Sequence, residues 1–149
     1  MPHSKKLSSV LFPLSALLFM IHAATVPAMA ENQETRQSNK CDVHQGPCTM
    51  TLPNGTITLD INPKPVKAMK DLIFRLMVSG TQLTSGPYLD LRMPGMEMGP
   101  NRVVMKTAGE GLYQGKGIIV KCPSGRRTWK AEVTLPGLGT TEFIFDVID

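Results

Sequence analysis

Residues 48–61 read CTMTLPNGTITLDI, and this stretch indicates the fold more clearly than any other part of the chain. Before the turn, Cys48, Met50 and Leu52 alternate with threonines, and after it the alternation resumes at Ile57. The Asn-Gly pair between the two runs is the strongest short signal for a β-hairpin. Alternation with a period of two predicts antiparallel strands with one buried and one solvated face.

The same alternation recurs along the rest of the chain. Runs with one apolar face occupy residues 71–78, 88–93, 102–106, 112–122, 129–135 and 141–147. Prolines and glycines separate several of these runs, and proline cannot donate a hydrogen bond within a sheet. Short strands at this spacing predict an all-β fold, an immunoglobulin-like antiparallel β-sandwich of about seven or eight strands. A small barrel is the alternative.

The N-terminal thirty residues have a different pattern. Lys5 and Lys6 precede an apolar run over residues 7–24, and Ala28-Met-Ala30 follows it. A positive region, an apolar run and small residues at the cleavage positions predict a secretory signal peptide, cleaved after Ala30. An uncleaved anchor is the alternative, because a run of about 18 residues is near the lower limit for crossing a bilayer.

These patterns predict three parts of the chain. Residues 1–30 are the signal peptide, 31–40 a polar and disordered leader, and 41–149 a single β domain. We expect the mature protein to be periplasmic or secreted, with no transmembrane segment once the signal is removed.

The charge of the chain does not indicate a nucleic-acid binder. Its net charge is +4, and removing Lys5 and Lys6 with the signal leaves 14 basic and 12 acidic residues. Nucleic-acid-binding domains usually carry a basic stripe together with stacking aromatic residues. Arg126, Arg127 and Lys130 cluster only around one predicted turn. We therefore expect no nucleic-acid partner.

Histidine usage also argues against an enzyme. His3 and His22 lie in the predicted signal, so the mature chain retains only His44. The sequence contains neither a Gly-x-Ser-x-Gly nor a His-Glu-x-x-His motif. The glycines of residues 109–117 lie within a strand pattern and predict bulges or close backbone approaches, not a phosphate loop. We expect no catalytic residues.

The stretch of residues 91–101, LRMPGMEMGPN, contains the leading candidate site. Met93, Met96 and Met98 lie within six residues, between Pro-Gly and Gly-Pro turns. Thioether sulfur is a soft, neutral ligand that suits Cu(I). Met93 shares the apolar face of Leu89 and Leu91 and is expected in the core. Met96 and Met98 follow the proline, where either metal binding or packing is compatible with the pattern.

The cysteines form a second candidate group with His44. Cys41, His44 and Cys48 lie within eight residues, but their spacing is not that of a zinc finger. In an oxidising compartment one disulfide and one spare thiol are expected. Strand alternation favours Cys48–Cys122, with Cys41–Cys48 and Cys41–Cys122 as alternatives. The favoured pairing would leave Cys41 as an exposed thiol close to His44.

Three segments in order resemble the YtkA-like domain family, to which FixH-type proteins are similar. They are MPGMEMGPN at 93–101, GLYQG at 111–115 and WKAEV at 129–133, and the resemblance covers about residues 66–148. It implies an immunoglobulin-like sandwich in an exported or membrane-tethered bacterial protein, sometimes linked to copper traffic or oxidase assembly. The methionine motif carries over onto Met93, Met96 and Met98.

Two hypotheses follow for function. The first is a periplasmic protein that binds Cu(I) through Met96 and Met98, assisted by Met93, Cys41 or His44. Such a protein would exchange the ion with a donor or acceptor protein of the cell envelope. The second is a structural or protein-interaction module of the envelope with no metal role, docking through an exposed sheet edge.

Overall fold

The alternating segments of the sequence form strands in the computed structural model, which describes residues 40–149. Within this range there are nine strands and no helix. The strands are β1 (Cys48–Leu52), β2 (Gly55–Asn62), β3 (Asp71–Ser79), β4 (Tyr88–Arg92), β5 (Arg102–Val104), β6 (Lys106–Gly109), β7 (Leu112–Ile118), β8 (Thr128–Leu135) and β9 (Gly139–Asp146). Along these residues no helix has the length and apolar character needed to cross a bilayer.

The strands form two antiparallel sheets. Sheet I has the order β1-β2-β3-β7-β6, and sheet II has the order β5-β4-β8-β9. The predicted hairpin joins β1 to β2, with Leu52 opposite Gly55. The prediction of an all-β antiparallel sandwich is confirmed, with nine strands instead of seven or eight.

The core lies between the two sheets, because each sheet buries the apolar side of its alternation. Phe74 in sheet I and Trp129, Phe143 and Phe145 in sheet II are the largest fully buried side chains. The residues between these positions on the same strands face solvent. Strand β3 is an example, because buried and more exposed residues alternate along its length. The described residues belong to one compact unit. It has a core of its own, which is what an independently folding domain requires.

The predicted strand at 102–106 is two strands in different sheets. Val104 ends β5 in sheet II, and Lys106 begins β6 in sheet I. Met105 between them is buried and donates its amide hydrogen to the Pro87 carbonyl at 3.3 Å. The chain therefore crosses from one sheet to the other at a single buried residue, a change that alternation cannot reveal.

The predicted strand at 112–122 is shorter than expected, because β7 ends at Ile118. Ile118 and Val120 are exposed, whereas Ile119 and Cys122 are buried. The two glycines of β7 lie under β5: a Cβ atom on Gly115 or Gly117 would come within 2.6 Å of a Val103 methyl carbon. The prediction of close backbone approach at these glycines is confirmed.

One end of the sandwich collects the longer irregular segments, and we call it the methionine end. By strand direction it comprises residues 40–47, 62–71, 93–101, 119–127 and 147–149. Lys40, the last residue of the predicted leader, pairs with Ile144 of β9. The predicted signal peptide and the remainder of the leader lie outside the described residues.

Candidate functional site

All of the predicted site residues lie at the methionine end. The strand directions place the start of β1, the ends of β2, β4 and β7, and the start of β8 there. Met93, Met96 and Met98 follow β4, and Cys41 and His44 precede β1. Cys122, in the segment between β7 and β8, lies at the same end. The fold thus places at one end of the sandwich sulfur and imidazole side chains that are far apart in sequence.

A β-turn brings the first two methionines of the loop together. The Met96 amide donates to the Met93 carbonyl at 3.2 Å, and Gly95 has a φ of 69°. Proline followed by glycine with positive φ is the sequence of a type II turn. Such a turn brings its first and last Cα atoms within about 7 Å. Met93 and Met96 are therefore neighbours, and Met98 follows two residues later.

The three methionines differ in burial. Met93 is 2% exposed and belongs to the core, as the strand pattern predicts. Met96 and Met98 are half-buried and pack against the core cluster from the loop. Around Gly95 and Gly99 the loop is open, because a Cβ atom at either position would meet nothing within 4 Å. The loop thus carries two half-buried thioethers and one that is fully buried.

The methionine loop is anchored on both sides. Arg126 Nη2 donates to the Pro94 carbonyl at 2.7 Å, which joins the loop to the segment that contains Cys122. At the other side, Asn101 Nδ2 donates to the Ile118 carbonyl at 3.2 Å, and the Leu91 amide donates to the Asn101 carbonyl at 2.9 Å. These bonds tie the ends of the loop to both sheets and restrict its conformation.

An ion pair fixes the strand that follows the loop. Arg102 Nε and Nη2 donate to the two carboxylate oxygens of Asp90, at 3.0 and 2.8 Å. The guanidinium also lies 4.0 Å from the centre of the Tyr88 ring. Hydrogen bonding from Arg102 lowers the pKa of Asp90, although the burial of this carboxyl acts in the opposite direction. Asp90 is therefore charged, and its ion pair with Arg102 holds the start of β5 against β4.

The disulfide joins Cys41 to Cys48, with their Cα atoms 6.0 Å apart, so the favoured pairing of Cys48 with Cys122 is wrong. That prediction assumed one unbroken strand over residues 112–122, with Cys122 on the face of Ile118 and Val120. Because β7 ends at Ile118, the alternation does not reach Cys122. Cys41 is consequently oxidised and has no thiolate for a metal. The expected exposed thiol at Cys41 is absent, and the spare thiol is the buried Cys122.

The imidazole of His44 has a hydrogen-bonded role in the fold. Its Nδ1 accepts the amide hydrogen of the fully buried Val66 at 3.0 Å. The His44 amide donates to Asp42 Oδ1 at 2.9 Å. Only Nε2 therefore remains available to coordinate a metal ion. Among residues 40–149, no hydrogen bond or ion pair joins His44 to the methionine loop.

Cys122, which the sequence predicted as a disulfide partner, is instead a free and buried thiol. It begins a turn in which the Gly125 amide donates to its carbonyl at 3.0 Å. Its sulfur lies 3.0 Å from Ser124 Oγ. Hydrogen bonds from the Ser124 hydroxyl and from the backbone lower the pKa of this thiol.

Other parts of the described structure offer less to a metal. Within residues 40–149, no group of three or more His, Cys, Asp and Glu side chains is arranged to hold an ion. A cleft of about 790 Å³ lies at the opposite end of the sandwich, between β3 and the β6–β7 turn. Its lining includes Tyr113 and one carboxylate, that of Glu110.

Comparison of the chain with protein-family models, with curated proteins and with solved structures found no match. The resemblance to the YtkA-like domain family therefore stays a prediction from the three sequence segments that suggested it.

Proposed function

We propose that this protein is an exported, non-catalytic domain that binds Cu(I) through its methionine loop. Met96 and Met98 are the ligands, and Met93 closes the base of the site. The observation that carries the proposal is the turn at residues 93–96, which places Met96 beside Met93 in a loop anchored on both sides. A loop ordered before binding loses less conformational entropy when it takes up an ion.

The donor set suits Cu(I) better than harder ions. Thioethers are soft and uncharged, and they need no deprotonation before they bind. The remaining predicted ligands are less available: Cys41 is in a disulfide, and His44 uses one ring nitrogen within the fold. The half-burial of Met96 and Met98 supports the proposal, because a partly dry site protects a bound ion while leaving one side open.

Exchange with a donor or acceptor protein of the cell envelope follows from this proposal. The sequence of residues 1–30 predicts export, and copper traffic outside the cytoplasm needs carriers that both take up and release the ion. A shallow site at one end of a sandwich suits such transfer, because the partner can approach the loop directly.

The decisive experiment is a Cu(I) titration against a chromophoric competitor under reducing conditions. We expect one ion per chain and a loss of binding of at least about 100-fold in Met96→Leu/Met98→Leu. Methionine-to-leucine changes nearly conserve volume, so the free energy of unfolding should fall by less than about 1.5 kcal/mol. The matched control is Met69→Leu/Met77→Leu, which removes two exposed methionines outside the loop. Equal affinity in the loop variant and the control would overturn the proposal.

A second function, a protein-interaction module without a metal role, is favoured by a different observation. Met96 and Met98 pack against the core, as methionines with a purely structural role would. Among residues 40–149, the eight-residue edge strand β9 is paired on its outer side only near Ile144, by Lys40 and Cys41. An uncovered edge can accept a further strand from a partner. Absence of Cu(I) binding by the unmodified protein would favour this function.

A further inference from the structure

Met69 has an unusual conformation and position. It has a φ of 58° and is the one non-glycine residue within 40–149 with a positive φ. Glycine and asparagine tolerate this left-handed region, whereas a long side chain is disfavoured there. Its side chain is nevertheless 63% exposed. Packing within the domain therefore does not require a methionine here, and a strained, exposed apolar residue suggests a role in contact with something else.

Two more apolar side chains are exposed next to Met69. The Met69 amide donates to the Ile119 carbonyl at 2.8 Å, which places it beside the end of β7. Ile119 itself is fully buried, so its neighbours Ile118 and Val120 face solvent, with exposures of 43% and 41%. Met69, Ile118 and Val120 together form what we call the apolar patch. Contiguous exposed apolar side chains mark interaction sites more often than isolated ones.

Lysines surround the apolar patch. Lys67 and Lys70 flank Met69 in sequence, and Lys116 lies two residues before Ile118 on the same face of β7. All three are exposed, and none makes an ion pair with another described residue. Lys121 is paired with Asp149 at 3.3 Å. Asp71, opposite Ile118, and Asp149 are two acidic residues beside the apolar patch, against four lysines, so the surroundings are positive on balance.

We propose that the apolar patch docks this domain onto an anionic lipid surface. The apolar side chains of the patch would enter the headgroup region, and the lysines would contact lipid phosphates. Long lysine side chains can place their methylene groups on the apolar surface while the ammonium reaches water or phosphate. Protein–protein interfaces are enriched in aromatic residues and arginine and depleted in lysine. The patch has the opposite composition, so a lipid surface fits it better than an acidic protein does.

This inference does not depend on Cu(I) binding. The apolar patch and the lysines around it lie in residues 67–71 and 116–121, outside the methionine loop. Binding to lipid through it would keep a domain whose signal had been removed close to the membrane, where envelope partners reside.

The test is co-sedimentation with vesicles of phosphatidylcholine, with and without phosphatidylglycerol. It uses the chain from Glu31 onward, which retains both sheets and the core but lacks the apolar run of residues 7–24. We expect retention on the anionic vesicles alone, and loss of retention at high salt, where phosphate–lysine attraction is screened. Removing two lysines in Lys67→Gln/Lys70→Gln should weaken binding about 30-fold. The matched single changes are Lys70→Gln, which should weaken binding, and Arg92→Gln on the other sheet, which should bind nearly as well as the unmodified chain.

The apolar contribution is tested separately with Met69→Asn. Asparagine tolerates the left-handed backbone, so this variant should unfold at the same or a higher urea concentration than the unmodified chain. Its binding to anionic vesicles should nevertheless weaken about 10-fold. A merely structural role for Met69 predicts that stability changes while binding does not.

Four results would overturn the proposal. The first is equal retention on both kinds of vesicle, and the second is equal weakening by Lys70→Gln and Arg92→Gln. The third is absence of vesicle binding together with self-association that Met69→Asn abolishes, which would show that a second copy covers the patch. Binding to an acidic protein surface without any binding to anionic vesicles would equally reject a lipid partner.

Discussion

Two regions of the sandwich are held in different ways. Where β5 lies over β7, the two sheets approach so closely that only glycine fits at positions 115 and 117. At the methionine end the chain is held by separate cross-links: the disulfide, the His44–Val66 bond and the Arg126–Pro94 bond. In the first region, the tight packing between the sheets determines which residue can occupy positions 115 and 117. In the second region, cross-links fix the backbone, and the side chains of Met96 and Met98 remain only half-buried.

The largest effect is expected where packing is tightest. A Cβ atom on Gly115 would lie 2.6 Å from a Val103 methyl carbon and 2.7 Å from the Val104 carbonyl oxygen. Gly115→Val should therefore lower the free energy of unfolding by about 3 kcal/mol or more, because overpacking displaces backbone as well as side chains. Urea denaturation measures this change. If the urea midpoint of Gly115→Val were close to that of the unmodified domain, the two sheets would have to separate easily to admit the larger side chain.

Removal of the disulfide should have the next largest effect. Cys41→Ser/Cys48→Ser opens a loop with a sequence separation of 7 residues. We expect a loss of roughly 2–3 kcal/mol in the free energy of unfolding, since a closed loop restricts the unfolded chain. Cys122→Ser should cost less, because Cys122 has no covalent partner.

Thiol labelling provides the control for the pairing itself. Without reductant, the folded protein should react slowly, since Cys122 is buried, and the unfolded protein should react at Cys122 alone. Labelling of Cys41 in the unfolded, unreduced protein would restore the Cys48–Cys122 pairing that strand alternation favours.

The ion pair next to the methionine loop predicts a pH dependence. The folded-state pKa of Asp90 is lowered, chiefly by hydrogen bonds from Arg102. Its contribution to stability is therefore complete above the unfolded pKa of about 3.9 and is lost as pH falls through the lower folded value. Arg102→Gln should reduce stability at neutral pH and flatten its decline below about pH 4. Parallel stability–pH curves for the two proteins would show that the pair does not couple to folding.

The sequence predicts the packed region better than the cross-linked one. Alternation locates the strands around Leu59, Phe74 and Val133, because sheet burial has a strict period of two. It also indicates that Met93 is buried and that the glycines of β7 are closely approached by the neighbouring strand. The crossing at Met105 and the early end of β7 were missed, since both depend on contacts between sheets.

The cross-links at the methionine end could not be predicted for the same reason. The choice between Cys48 and Cys122 as disulfide partners depends on where β7 ends, and one residue of shift reverses the face of Cys122. The contacts of His44 with Val66 and of Arg126 with Pro94 join segments 22 and 32 residues apart. Local sequence carries no signal for pairs at that separation. The methionines were identifiable because their spacing and turn residues are local.

The smallest effects on stability are expected in the methionine loop. Changes at its two glycines test whether Cu(I) binding requires a particular backbone conformation in addition to the methionine side chains. Both loop glycines have open space around them. Gly95, however, has a φ of 69° and is the third residue of the four-residue Met93–Met96 turn. Gly95→Ala should cost about 1 kcal/mol through backbone strain, whereas Gly99→Ala should change stability by less than about 0.5 kcal/mol. If the turn preorganises the copper ligands, Gly95→Ala should also weaken Cu(I) binding about 10-fold, and Gly99→Ala should not. Equal Cu(I) affinities in the two variants would mean that Met96 and Met98 bind without help from the turn. In that case the site would depend on the thioethers alone, and the anchoring of the loop would serve only the fold.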